Sequence, residues 1–123
     1  MRVFWLYFFL IAALPTSAQE AQFERFRCNI VFALDGLAYQ SFSAEVEQLA
    51  PHLIRKNISL IDLNHWQEGA LFQNISGRQR AKLRVLLELP RGINQAVLVN
   101  KKGRIMTRHR GSANLIDMLL VCQ

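Results

Sequence analysis

Residues 28–34 read CNIVFAL, and residues 57–63 read NISLIDL. Both segments are short and rich in β-branched and other apolar residues, and the second is almost continuously apolar, as is typical of an interior strand. We therefore predict two buried strands. Apolar residues between them recur at steps of four and three, which places them on one helix face. These residues are Ala38, Phe42, Val46, Leu49 and Leu53. The order strand–helix–strand predicts a parallel pair joined by a right-handed crossover.

Both ends of this first helix carry further signals. Asp35 stands near its start as a candidate cap, because an aspartate side chain can accept a hydrogen bond from a free amide of the first turn. Pro51 lies near its end. Proline lacks an amide hydrogen and clashes with the preceding turn, so we predict a kink there, or a helix that restarts as a short final turn.

A second helix is predicted after residue 76, because Ser76 and Gln79 have the spacing of a capping box. Its predicted apolar face consists of Leu83, Leu86 and Leu87. Pro90 and Gly92 close this helix. A β-hairpin follows, with strands at 95–99 and 104–109.

The turn of this hairpin contains Gly103, where a left-handed backbone is expected. Its second strand carries several charges, which favours a position at the edge of the sheet. A last helix is predicted to start at Gly111 and Ser112. Its apolar residues are Leu115, Leu119 and Cys122 on one face, beside Ile116 and Leu120.

The predicted order of elements is βαβαββα. Strands that alternate with helices indicate an α/β fold with a four-stranded mixed sheet and helices on both faces. This is the minimal thioredoxin-like arrangement. The chain has 123 residues, which is enough for one domain of this kind but not for a second core.

Residues 1–18 have the three parts of a secretory signal peptide: Arg2, an apolar run over 3–14, and small residues up to Ala18. The alternative is an uncleaved membrane anchor, but a spanning helix needs about 20 apolar residues. We expect cleavage after Ala18, no membrane span thereafter, and export to a bacterial periplasm or the extracellular space. Residues 19–26 are interpreted as a polar lead-in and residues 27–123 as the thioredoxin-like domain.

The formal net charge is +6, and its distribution is uneven. Residues 78–110 contain ten Lys or Arg residues, and Glu88 is the only acid among them. A solvated basic face explains this pattern most simply. The alternative is a basic module that binds anionic envelope polymers or lipids. Nucleic acid is not expected as a partner, because the chain is exported and this stretch lacks aromatic residues for base stacking.

Two cysteines are present, Cys28 and Cys122. Cys28 opens the first strand, and the last helix runs back toward that end of the sheet, so the two residues should lie close together. We predict a structural disulfide, which an oxidising compartment permits. Closing a loop of about 95 residues would stabilise the domain by roughly 4–5 kcal/mol. The alternative is a pair of buried free thiols that act as small apolar side chains.

The hairpin and the start of the last helix, residues 97–111, resemble the closing segment of thioredoxin-like proteins. From Arg27 onward the chain resembles one branch of them, the DUDES-type domain of unknown function. That domain occurs alone in bacterial exported proteins and within animal sushi-repeat extracellular proteins. The matching residues are Arg27 with the strand to Leu34, Tyr39, Gln40, Arg55, Lys102 and Gly103.

The chain departs from this family pattern at two places. Asn57 stands near the position where an acidic residue usually follows the arginine before strand two, and the turn reads Lys-Lys-Gly rather than Lys-Asp-Gly. The resemblance implies a thioredoxin-like or peroxiredoxin-like fold and no established activity.

A thioredoxin or peroxiredoxin site needs cysteine at the start of the first helix, where the helix dipole lowers the thiol pKa. That place here reads Asp35-Gly-Leu-Ala38 and holds no cysteine. A redox thioredoxin has a cis-proline before its third strand, and Gly92-Ile-Asn94 occupies that position here. We therefore predict no catalytic residue and no cofactor. Metal ligation is not predicted either, because no two of the three histidines have ligand spacing. The three are His52, His65 and His109.

Our candidate binding surface is the end of the sheet that holds the active site in redox thioredoxins. Its residues are Asp35, Gly36, Tyr39, Ile93, Asn94 and Gly111. Turn and cap chemistry alone is the alternative interpretation. His65 and Trp66 form a second candidate contact. The functional hypothesis is a non-catalytic binding or accessory module whose partner is another envelope protein or an anionic surface. The alternative hypothesis is a thiol–disulfide redox protein that uses Cys28 and Cys122 reversibly.

Overall fold

Four strands and three helices form the part of the chain that the structure describes. The structure is a computed structural model and describes residues 23–122. The elements in chain order are β1 (Cys28–Ala33), α1 (Gly36–Arg55), β2 (Ile58–Asp62), α2 (Gly77–Leu86), β3 (Gln95–Asn100), β4 (Ile105–Arg110) and α3 (Leu115–Val121). The predicted α/β class and the order βαβαββα are confirmed.

The strands form one mixed sheet in the order β2-β1-β3-β4. β1 pairs with β2 in parallel and with β3 antiparallel, and β3 pairs with β4 antiparallel. Every residue of β1 and β2 is buried, whereas β4 has no buried residue. The continuous apolar runs therefore mark strands covered on both faces, and the charged strand lies at the sheet edge as expected.

Helices cover both faces of the sheet, and alternate side chains of β1 divide between them. Ile30 and Phe32 pack with residues of α1 and α3 on one face. Val31 and Ala33 pack with residues of α2 on the other face. This division follows from the two-residue period of a strand. One face therefore carries the longest helix and the C-terminal helix together.

Two details of the first two helices differ from expectation. α1 runs through Pro51 to Arg55 without a break. Pro51 and Glu47, whose carbonyl loses its helical donor, both face solvent, so water can replace the missing hydrogen bond. In α2, Leu83 is buried but Leu86 is 50% exposed, so Leu86 does not belong to the apolar face. The buried position of the next turn is Leu87.

The last helix begins later than expected, at Leu115 rather than at Gly111 and Ser112. The Asn114 side chain accepts a hydrogen bond from the amide of Asp117 and caps the helix. Its buried residues are Leu115 and Met118. Met118 was not predicted to face the core, and Ile116 and Leu120 are exposed.

Part of the predicted polar lead-in belongs to the folded domain. Phe23 is only 1% exposed and packs in the core on the α2 face. Its carbonyl accepts a hydrogen bond from Asn29 Nδ2 at 3.2 Å. Gly103 has a φ of +81°, and a Cβ added there would lie 3.4 Å from the Phe23 ring. Phe23 therefore packs with the folded domain.

The predicted signal peptide lies outside the described residues. Between residues 23 and 122, no helix combines the length and the apolar composition that a membrane span requires.

Candidate functional site

Cys28 and Cys122 form a disulfide, with their Cα atoms 6.1 Å apart. The residues are 3% and 2% exposed and belong to the core between α1 and α3. The predicted pairing is confirmed, and the alternative of two free thiols is wrong. Cys28 opens β1, while α1 begins beyond the other end of that strand. Five strand steps of about 3.3 Å place the disulfide roughly 17 Å from that end.

The carboxyl end of β1 leads into a polar cluster around Asp35. Asp35 occupies the N-cap position of α1, but its side chain makes no capping hydrogen bond. Instead the carboxylate lies 3.2 Å from His65 Nε2 and accepts a hydrogen bond of 3.0 Å from Asn64 Nδ2. The expected capping role of Asp35 is therefore wrong, because the loop after β2 binds its side chain.

Asn94 connects the same end of the sheet to the loop before α3. Its Oδ1 accepts a hydrogen bond from the Asp35 amide at 2.9 Å, and its carbonyl accepts one from the Gly111 amide at 2.7 Å. Three predicted surface residues thus meet here. Ile93 is 52% exposed. Gly36 has a φ of +61°, in the left-handed region that glycine adopts readily.

Tyr39 joins the cluster through two residues of the loop after β2. Its ring stacks on His65, with centroids 4.0 Å apart, and its hydroxyl accepts a hydrogen bond of 2.6 Å from Gln67 Nε2. His65 Nε2 also lies 3.1 Å from the Leu34 carbonyl oxygen. Because Leu34 O and Asp35 Oδ1 are both acceptors, Nε2 carries the hydrogen. His65, one of the two residues of the second candidate contact, is half-buried, and its Nε2 has these two partners.

Asp62 is a buried carboxylate that organises this loop. Its Oδ1 accepts hydrogen bonds from the amides of Asn64 and His65, both 2.9 Å long. Its Oδ2 accepts one of 3.1 Å from Gln67 Nε2. These three donors satisfy the hydrogen-bonding capacity that a buried carboxylate needs. Asp62 therefore fixes the positions from which His65 and Gln67 reach Asp35 and Tyr39.

Arg84 of α2 supports the same loop from the other face of the sheet. Its guanidinium donates to the Leu63 carbonyl at 2.7 Å, to Asn64 Oδ1 at 2.6 Å and to the Leu89 carbonyl at 3.3 Å. Burial lowers the pKa of Arg84, as do the nearby charges of Arg91 and Arg80. The guanidinium still carries its charge, since arginine does not lose its proton in proteins.

Sequence reasoning missed Asp62, Gln67 and Arg84. Asp62 carried a usable signal, because it is the only charged residue in the apolar run NISLIDL, and a charge in an interior strand needs partners. Gln67 and Arg84 carried no such signal. Their roles depend on how the loop after β2 folds back over the ends of the strands.

A cavity of about 320 Å³ opens beside the polar cluster, between α1 and the segment 67–72. Its apolar walls include Phe32, Phe42 and Phe72. Glu47 and Glu68, both exposed, stand at its rim. The segment is held to β2 because the Leu60 amide and carbonyl pair with the carbonyl of residue 71 and the amide of residue 73, each at 2.9 Å.

A shallower hollow of about 420 Å³ lies at the start of α1. Gly111 and Asn114 line it, together with Ala38 and Ser41 of α1.

Trp66, the second candidate contact, is 63% exposed, and the Arg80 guanidinium lies 5.9 Å from its ring centroid. Trp66 is therefore exposed and does not cover the core. Within residues 23–122, no three His, Cys, Asp or Glu side chains are grouped to hold a metal ion.

The architecture is similar to that of peroxiredoxins of known structure. The reduced 2-Cys peroxiredoxin of Plasmodium vivax has a TM-score of 0.58 at 8% identity, over 82% of this chain and 78% of that one. A mutant of Xanthomonas campestris peroxiredoxin Q has a TM-score of 0.56 at 9% identity, over 80% and 77%. The fold is thioredoxin-like. At this identity the likeness concerns the fold alone.

A third similar structure is the X. campestris bacterioferritin comigratory protein, with a TM-score of 0.54 at 9% identity over 80% of this chain and 78% of that one. No protein-family model matches the sequence, and no curated protein does. The thioredoxin-like fold class inferred from the order of elements is confirmed by these structures.

Proposed function

We propose that this chain is an exported thioredoxin-like module that binds a ligand or partner and does not transfer electrons. One observation carries the proposal. Both cysteines form a buried disulfide at the start of β1, whereas the helix end that activates sulfur in this architecture carries Asp35. The resemblance to the DUDES-type domain and the export to a periplasm or the extracellular space are parts of the same proposal.

Dithiol chemistry requires a thiolate that a second molecule can reach. Cys28 and Cys122 are 3% and 2% exposed, so neither sulfur offers this access. The chain has no further cysteine that could resolve a mixed disulfide. These facts support a structural role for the disulfide, and they leave binding as the role for the polar end of the sheet.

The polar cluster has properties that suit recognition. Its donors and acceptors are held in fixed positions by Asp62 and Asn94, which reduces the entropy lost when a ligand binds. Asp35 and His65 remain partly open, with side-chain exposures of 57% and 36%. An apolar cavity with a few convergent polar groups beside such a cluster is the usual form of a ligand site.

Two turnover assays test the proposal. We expect the purified protein neither to consume hydrogen peroxide with a thiol donor nor to reduce insulin disulfides above the background rate. The matched control is the Cys28→Ala/Cys122→Ala double variant, which should give the same rates as the wild type. Turnover by the wild type that disappears in the double variant would contradict a non-redox role and support the reversible use of Cys28 and Cys122.

A second candidate function is binding to anionic envelope polymers or lipids. It is favoured by the exposure of seven of the ten basic residues in the 78–110 stretch, namely Arg78, Lys82, Arg91, Lys101, Lys102, Arg104 and Arg110. Exposed Trp66 beside Arg80 adds an amphipathic contact. Retention on anionic vesicles that falls with salt and with the Lys101→Gln/Lys102→Gln variant would support it.

A further inference from the structure

The cavity between α1 and the segment 67–72 has a chemistry that selects one class of ligand. We propose that it binds a small organic ammonium ion whose apolar body fills the space between Phe42 and Phe72. This inference rests on the proposed function of a binding module and names the ligand class. It places the ligand beside the polar cluster rather than on it.

The size of the cavity sets the size of the ligand. Its volume is about 320 Å³, compared with about 150 Å³ for a dry protein cavity that holds benzene. It also reaches the lower limit of about 300 Å³ that is typical of small-molecule sites. Phe42 and Val46 in its wall are buried core residues, so the floor exists before any ligand arrives. A body of one or two rings fits this space.

The rim determines the sign of the charge. Glu47 and Glu68 are exposed carboxylates at the mouth, and no Lys, Arg or His nitrogen within residues 23–122 lies within 4 Å of either one. The chain as a whole has a formal charge of +6. Two exposed acids with no ion-pair partner within 4 Å among the described residues bring negative charge to this mouth, which favours a cation there although the net charge of the chain favours anions.

Gln67 is a further polar residue in the lining of the cavity. Its amide nitrogen donates to Tyr39 Oη and to Asp62 Oδ2. Both amide hydrogens are thereby used and the side chain is fixed. Its Oε1 has no donor among the described residues, so it is available to accept from an ammonium group.

Three naphthalene compounds test the ligand class: 1-naphthylmethylamine, 1-naphthylmethanol and 1-naphthoate. They share the aromatic body and differ in the charge and the hydrogen bonding of the head group. In amide-resolved NMR titrations we expect shifts at Phe42, Gln67 and Phe72. The amine should bind roughly five- to tenfold more tightly than the alcohol, because two screened carboxylates act on its charge. The naphthoate should bind more weakly than the alcohol.

Matched variants locate the effect. The Glu47→Gln/Glu68→Gln double variant keeps the shape of the mouth and should bring the amine to the affinity of the alcohol. The control Glu88→Gln removes an exposed acid on the other face of the sheet and should change nothing. Ala50→Leu, which narrows the cavity, should weaken the binding of all three compounds.

The proposal is overturned if the amine and the alcohol bind equally, if the naphthoate binds most tightly, if the shifts lie elsewhere, or if no compound binds. Its failure is distinguishable from failure of the proposed function. The peroxide and insulin assays decide the redox question independently, and a protein that is inactive in them but does not bind the amine would refute this inference alone.

Discussion

The two ends of β1 are stabilised in different ways. At Cys28 the chain is fixed by a covalent bond among buried apolar residues. Beyond Ala33 it is fixed by hydrogen bonds among polar side chains around exposed Asp35 and buried Asp62. No second molecule can reach a buried disulfide, whereas polar groups at a surface can form hydrogen bonds with a ligand. The comparison separates a covalently closed apolar end from a polar end that solvent can reach, and only the second fits the binding role that we propose.

The largest expected effect is the loss of the disulfide. The Cys28→Ala/Cys122→Ala variant should lose about 4–5 kcal/mol of unfolding free energy, because the unfolded chain gains the entropy of a loop of about 95 residues. Denaturation in urea measures the change. The reduced wild-type protein is the control, and its unfolding free energy should lie within about 1 kcal/mol of that of the variant. A loss below about 1 kcal/mol would show that the disulfide contributes little to the unfolding free energy.

A smaller loss is expected on the polar side at Arg84. The Arg84→Met variant keeps much of the apolar stem but leaves the carbonyls of Leu63 and Leu89 without this donor. We expect a loss of about 2–3 kcal/mol in urea denaturation. Lys82→Met, at an exposed position of the same helix, is the control and should change stability by less than about 0.5 kcal/mol. Equal effects of the two variants would show that the hydrogen bonds of Arg84 do not stabilise the loop after β2.

Asp62 comes next in the order of effects. In the Asp62→Ala variant the amides of Asn64 and His65 lose their acceptor, but this loop is half-exposed and water can replace part of it. We expect a loss of about 1–2 kcal/mol. Asp62→Asn keeps one acceptor oxygen and should lose less. If the asparagine variant is the less stable of the two, the loop does not depend on the hydrogen bonds to Oδ1.

The smallest effect on stability is expected at Asp35. The carboxylate and His65 are too exposed for their contact to contribute more than about 1 kcal/mol. Asp35→Asn should therefore leave the denaturation midpoint almost unchanged while shifting the NMR signals of the His65 ring. A loss of more than about 2 kcal/mol would mean that the Asp35 side chain, like the disulfide, contributes substantially to the stability of the fold.

The sequence was most informative where apolar patterns determine structure. The runs at 28–34 and 57–63 predicted buried strands, and Ser76 with Gln79 predicted the capping box that the structure contains. The disulfide could be predicted because the order of elements brings Cys28 and Cys122 to one end. Pro51 misled, since a proline on a solvent-facing turn costs the helix less than one that faces the core.

The candidate site was only partly predictable. Asp35, Asn94 and Gly111 do meet, because strand ends at one edge of a sheet are neighbours. The interactions of His65 and Gln67 were not predictable, since they depend on the path of an irregular loop. The cavity depends on that same loop packing against α1, and no residue pattern in 65–74 indicates that packing.

The central claim is that the disulfide is structural, and its equilibrium reduction potential tests this claim most directly. The purified protein is equilibrated with dithiothreitol buffers, and mass spectrometry after alkylation counts the thiols. We expect a potential below about −300 mV, as for structural disulfides of secreted proteins. A potential between about −270 and −120 mV, the range of thioredoxins and thiol oxidases, would contradict the account and favour reversible redox use of Cys28 and Cys122.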